Sequence, residues 1–89
     1  MTSLDGIVMF SGDNCPYCVR ARRLLEKKGV AFRELKVDQS AELRSEMEQL
    51  SQRRTIPQIF IHGRHIGGFD DMAELDRVGK LDNLLMAVS

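Results

Sequence analysis

The chain has 89 residues, 43% of them hydrophobic and 29% charged. The 13 basic and 13 acidic side chains cancel, so no net field draws nucleic acid or an anionic membrane to the surface. The length predicts one domain, residues 1–89, around one core. Two cysteines three residues apart close too small a loop to staple distant segments, which excludes a disulfide-framed secreted scaffold.

Met1 to Asp5 carries no basic side chain, and the apolar run after it is only Ile7 to Phe10. That pattern lacks the charged and apolar regions of a secretory signal. No stretch approaches the roughly 20 apolar residues of a membrane span. The expected location is the cytoplasm, where a Cys-x-x-Cys pair serves catalysis or metal binding more often than architecture.

Ile7-Val8-Met9-Phe10 reads as a strand buried on both faces. Ser11 to Asn14 forms a polar turn into Cys15-Pro16-Tyr17-Cys18. From Cys18 onward Ala21, Leu24 and Leu25 recur at helical spacing, with Lys27 and Lys28 near the negative end and Gly29 as the stop. Val30 to Val37 predicts a second strand. Its apolar positions change phase between Phe32 and Leu35, which means either a bulge or burial on both faces.

Ser40 is a candidate N-cap for a helix to about Leu50, with Leu43, Met47 and Leu50 as its apolar stripe. Gln58 to Ile61 is a third strand opened by Pro57. His62-Gly63-Arg64 reads as a hairpin turn, and His65 to Gly67 as the returning strand. Asp70 or Asp71 would cap a helix to about Val78. After Gly79, the residues Leu81, Leu84, Leu85 and Val88 form a final amphipathic segment.

The order β-α-β-α-β-β-α defines an α/β protein. A right-handed parallel crossover followed by an antiparallel hairpin gives a four-stranded mixed sheet with helices on both faces. With Cys-x-x-Cys opening the first helix, this resembles the thioredoxin-like fold.

At a helix start, unpaired N–H groups and the positive dipole end favour a thiolate. Cys15 is therefore the expected nucleophile, since thiols in this setting ionise well below the free value of about 8.5. Cys18, one turn on, lies roughly 5–6 Å away, close enough for a redox disulfide Cys15–Cys18. Pro16 fits the first helical turn. Tyr17 supplies an aromatic wall beside the sulfur.

A zinc site from Cys15, Cys18, His62 and His65 is the competing reading. The 43-residue gap between Cys18 and His62 is far from the roughly 12–15 of compact Cys/His fingers, and no metal is expected. The two histidines flank a turn and read as solvated.

Cys15-Pro16-Tyr17-Cys18, Thr55-Ile56-Pro57-Gln58-Ile59-Phe60-Ile61 and Gly67-Gly68-Phe69-Asp70-Asp71 occur in the order and positions of the dithiol glutaredoxins. The chain resembles the short bacterial members across nearly its whole length. The resemblance implies a cis Pro57 that presents the backbone of Ile56 beside Cys15. It also implies glutathione as a co-substrate, with no tightly bound cofactor and with glutathione reductase involved only through glutathione. Oxidised or glutathionylated proteins would be the clients, and the chain would act as a monomer.

Tyr17, Arg53, Thr55, Ile56, Pro57, Gly68, Phe69, Asp70 and Asp71 are then the implied glutathione-binding residues. The N–H groups of Phe69 and Asp70 would take the glutamyl carboxylate, and Asp70 its ammonium. Asp71 either shares that task or only caps the helix. Arg53, or Arg54, would take the glycyl carboxylate at the opposite end. Many relatives carry lysine where this chain has Gly12, and some carry a third cysteine where it has Phe69. Arg22 and Arg23 read as solvent-facing, not as replacements for that lysine. Two other functions fit the resemblance: a redoxin served by thioredoxin reductase, and a dimer holding an iron–sulfur cluster through Cys15 and glutathione.

Overall fold

The computed structural model describes residues 2–86. Its elements are β1 (Ile7–Ser11), α1 (Pro16–Lys27), β2 (Arg33–Lys36), a single 3₁₀ turn (Val37–Gln39), α2 (Ala41–Ser51), β3 (Gln58–Ile61), β4 (Arg64–Gly67), α3 (Phe69–Arg77) and α4 (Leu81–Met86). The strands form one sheet in the order β2-β1-β3-β4. β1 and β2 are parallel, whereas β1–β3 and β3–β4 are antiparallel. The mixed sheet expected from the element order is thus present.

Alternation along the central strands separates two apolar layers. Ile7, Met9, Ile59 and Ile61 face Ala21 and Leu25 of α1, Met72 of α3, and Leu81 and Leu85 of α4. Val8, Phe10 and Phe60 face Met47 of α2 and Val37. Helices cover both faces, as expected. Val88 lies outside the described residues.

The phase change before Leu35 is burial on both faces, not a bulge. Pairing of β1 with β2 runs without a break from Val8↔Arg33 to Ser11↔Lys36. Val30 and Phe32 join the layer of α1, and Leu35 and Val37 join that of α2. The strand is shorter than expected, because Val37 already belongs to the 3₁₀ turn.

Ser40 caps α2, its hydroxyl accepting the N–H of Leu43 at 3.2 Å. α1 opens at the Cys-x-x-Cys as expected, with Cys15 itself at the N-cap and Pro16 in the first turn. Gly29 follows at a positive φ and ends the helix. The hairpin turn is two residues, His62 and Gly63, both at positive φ, the combination that matches the twist of flanking strands.

Neither Asp70 nor Asp71 is the N-cap of α3. Gly68 holds that place, and Asp71 at the third helical position accepts its N–H at 3.0 Å. A side chain reaching back one turn satisfies a donor the helix leaves open. β4 leads into this start through a bulge, since Ile59 pairs with Gly67 while Phe60 pairs with His65. Gly67 has φ +119°, and a Cβ there would lie 2.3 Å from Asp71 Oδ2. Only glycine fits.

Candidate active site

The sheet delivers Cys15 to the start of α1, where Cys15 and Cys18 are joined in a disulfide with Cα atoms 5.2 Å apart. The two sulfurs sit in different surroundings. Cys18 is fully buried, whereas Cys15 is half-buried at the surface. Cys15 Sγ accepts the backbone N–H of Cys18 at 3.1 Å. An attacking thiolate needs both access and donors, and Cys15 has them.

Beside Cys15 runs the Ile56–Pro57 segment, whose peptide bond is cis. The Ile56 carbonyl oxygen stands 4.0 Å from Cys15 Sγ. A cleft of about 270 Å³ opens alongside, lined by Tyr17, Arg53, Thr55, Ile56, Pro57, Gly68, Phe69, Asp70 and Asp71. Residues far apart in sequence thus form one concave surface. Tyr17 is 51% exposed, with the Arg20 guanidinium 5.3 Å over its ring and Phe69 at 6.4 Å on the cleft side.

The polar end of the cleft is built by the start of α3. The N–H groups of Phe69 and Asp70 have no partner within the helix, and they coincide with its positive dipole end. Asp71 Oδ2 accepts from Arg53 Nη1 at 2.9 Å and from the Gly68 N–H. Arg53 foremost, then the Gly68 N–H, hold the Asp71 carboxyl below its usual range. Asp70 is exposed and makes no ion pair among the described residues.

Arg53 was expected at the end opposite this loop; instead it stands against Asp71. Arg54 points away, 3.6 Å from Glu48. Arg22 is not solvent-facing either. Its Nε donates to Glu34 Oε1 at 2.8 Å, and Nη2 to Oε2, while Ser11 Oγ donates to the same carboxylate at 2.6 Å. Glu34 is held at about 2, chiefly by Arg22 and also by Ser11. This group fastens α1 to β1 and β2 behind the cysteines.

Gly12 is buried, and a Cβ there would meet Ile56 Cδ1 at 2.9 Å and Asp38 Cγ at 3.4 Å. The Asp38 carboxylate accepts the Asp13 N–H at 2.8 Å, and Lys36 Nζ lies 2.7 Å from Asp13 Oδ1. The turn before Cys15 is therefore tied to β2 and the 3₁₀ turn.

The histidines do not converge on the cysteines. His62 Nε2 lies 3.3 Å from the Leu85 carbonyl oxygen, and His65 Nε2 lies 2.7 Å from Gln58 Oε1. Among the described residues no three His, Cys, Asp or Glu side chains come together as a metal site. Gln58 escaped the sequence reading, although an amide inside the apolar run Ile56 to Ile61 was its visible signal. No described helix is long and apolar enough to cross a membrane.

A disulfide at a helix start, with one accessible and one buried sulfur beside a cis-proline edge, defines a thiol–disulfide oxidoreductase of thioredoxin-like fold. The glutaredoxin family model matches residues 7–66. Glutaredoxin 3 of Escherichia coli K12 is 51% identical over 82 residues, covering 92% of this chain and 99% of that protein. The solution structure of the dithiolic glutaredoxin 2-C-Grx1 from Trypanosoma brucei brucei superposes with a TM-score of 0.84 at 40% identity, covering 96% of this chain and 97% of that one. A buckwheat glutaredoxin–glutathione complex gives 0.84 at 34% identity over 91% of this chain and 76% of that one. The chain belongs to the glutaredoxin family, in its dithiol form.

Proposed function

We propose that this oxidoreductase is glutathione-dependent and reduces both protein disulfides and protein–glutathione mixed disulfides. The observation that carries the reading is the cleft beside Cys15. It has an aromatic side at Tyr17, a backbone edge at Thr55 to Pro57 and a polar end at Gly68 to Asp71. An extended peptide with an α-amino acid head suits that sequence of surfaces. The head carboxylate meets the N–H groups of Phe69 and Asp70, and its ammonium meets the Asp70 carboxylate. Asp71 serves the helix start and Arg53. The kinship with a glutaredoxin solved as a glutathione complex supports the same ligand class.

With a glutathionylated protein, the Cys15 thiolate attacks the glutathione sulfur, and the client leaves as a thiolate that takes up a proton. A second glutathione thiolate attacks the glutathione sulfur on Cys15, which yields glutathione disulfide and frees the Cys15 thiolate. With a protein disulfide, Cys15 forms the mixed disulfide. Cys18 then attacks the Cys15 sulfur, the client leaves reduced, and the Cys15–Cys18 disulfide is reopened by two glutathiones. The protein works in the cytoplasm as a monomer, on oxidised or glutathionylated clients, without a tightly bound cofactor.

Cys15→Ser and Cys18→Ser on a glutathione mixed disulfide test the reading. The first is expected to be inactive, and the second to retain deglutathionylation. Equal loss in both would remove the assigned asymmetry. Turnover with thioredoxin reductase but not with glutathione would replace the proposed reductant.

A further inference from the structure

Gln58 is a fully buried amide in the layer that Phe10, Phe60, Met47 and Val37 otherwise fill with apolar side chains. Burying an amide is unfavourable unless its hydrogen bonds are remade. Here they are. Gln58 Nε2 donates to the Thr55 carbonyl oxygen at 3.0 Å and to Thr55 Oγ1 at 3.2 Å. Gln58 Oε1 lies 2.7 Å from His65 Nε2.

The chemistry of these partners fixes every orientation. A carbonyl oxygen only accepts, so the amide nitrogen must face Thr55. The amide oxygen then faces His65, and the hydrogen of the neutral imidazole must sit on Nε2. His65 is itself set on a rigid element, paired with Phe60 across the hairpin and with its ring 5.0 Å from the Phe60 ring. A chain of donors thus runs from β4 through the core to the cleft wall.

The wall it reaches is the one the proposed ligand would use. Gln58 opens β3, paired with Phe10 of β1, and its side chain reaches back three residues to Thr55. The segment Thr55 to Pro57 is closed into a ring against the sheet, with the Ile56 carbonyl 4.0 Å from Cys15 Sγ. We infer that Gln58, oriented by His65, is a positioning residue for the substrate: it fixes the Thr55–Ile56 backbone against which a peptide beside Cys15 docks. Neither side chain touches the sulfurs. Their contribution is to binding, not to the exchange step. The ligand class rests on the glutathione reading; the positioning role does not.

Gln58→Met keeps the length and removes all three side-chain bonds, while His65→Phe keeps the ring on Phe60 and removes only the Nε2 donor. Each is measured for kcat and KM with a cysteine–glutathione mixed disulfide, and for the order parameter of the Ile56 amide by NMR. The loss of one or two net hydrogen bonds predicts a roughly five- to tenfold rise in KM for Gln58→Met and a smaller one for His65→Phe. With chemistry untouched, kcat stays within about twofold. The double variant is expected to match Gln58→Met alone, because both act through one chain of bonds. The Ile56 order parameter falls in each.

A folded Gln58→Met protein with unchanged KM and unchanged Ile56 order overturns the inference, and so do effects that multiply in the double variant. His65→Phe carries the test if Gln58→Met fails to fold. Absence of glutathione-dependent turnover in the unsubstituted protein would instead refute the glutathione reading, and the order parameter would still decide the positioning role.

Discussion

Cys15 Sγ accepts the N–H of Cys18 at 3.1 Å, and the residue that donates is the one whose own side chain is fully buried. The helix start thus supports one sulfur and shields the other. When the disulfide is opened, the donor and the positive helix end remain on the Cys15 side. Iodoacetamide is therefore expected to modify Cys15 at least about tenfold faster than Cys18 in the reduced native protein. Peptide mapping after brief alkylation reads the ratio; comparable labelling of the two would contradict this division.

Gly67 and Gly12 both sit at close approaches, and the two predict different outcomes. At Gly67 an added Cβ meets the Asp71 carboxylate, in a backbone region side chains rarely adopt. Gly67→Ala is expected to cost about 2–3 kcal/mol, through strain and through disruption of the start of α3. Thermal unfolding measures it. At Gly12 the first atom met is the far end of the flexible Ile56 side chain. Gly12→Ala should therefore cost less than about 1 kcal/mol while turning Ile56 to another rotamer. A crystal structure showing Ile56 unmoved would go against that account.

Glu34 ties folding to acid. Its ordinary value of 4.5 falls to about 2 in the folded protein, first through Arg22. A depressed carboxylate stabilises the fold fully above the unfolded value, and that contribution is lost as pH falls from about 4.5 through about 2. The pair is partly exposed, with side chains 29% and 18% accessible, so solvent screening reduces it to about 1–2 kcal/mol. Glu34→Gln should lower stability at pH 7 by that amount and flatten the acid limb. Urea unfolding at pH 7, 4 and 2.5 checks both; parallel pH curves for the two proteins would rule it out.

Much of this architecture was legible because local chemistry and tertiary structure agree. Ser40 caps α2 through a bond its own side chain makes, and Leu43, Met47 and Leu50 pack where helical spacing puts them. The cleft residues were legible for a different reason: three sequence blocks resemble those of a known family, and the fold brings them together. What escaped were relationships between elements. Arg22 looks like any helix-surface arginine until β2 places Glu34 beside it. Arg53 is a loop arginine whose proximity to Asp71 depends on how the end of α2 meets the start of α3. The N-cap of α3 was missed because Asp71 satisfies the helix start from the third position.

The His65 ring offers a direct probe of the cleft mouth. Burial foremost, then the nearby Arg53 charge, hold its midpoint below the ordinary 6.5, while Asp71 opposes them. The neutral form is thus favoured on folding. That contribution is present above 6.5 and is lost as pH falls through the lower folded value. Protonation adds the second hydrogen at Nδ1 and leaves the Nε2 donor to Gln58 in place. Arg53→Gln removes a like charge and is expected to move the midpoint upward, whereas Asp71→Asn removes the opposing one and moves it down. NMR titration of the His65 Cε1 proton follows both shifts, and a midpoint that ignores both substitutions would show that Arg53 and Asp71 do not face the ring in solution.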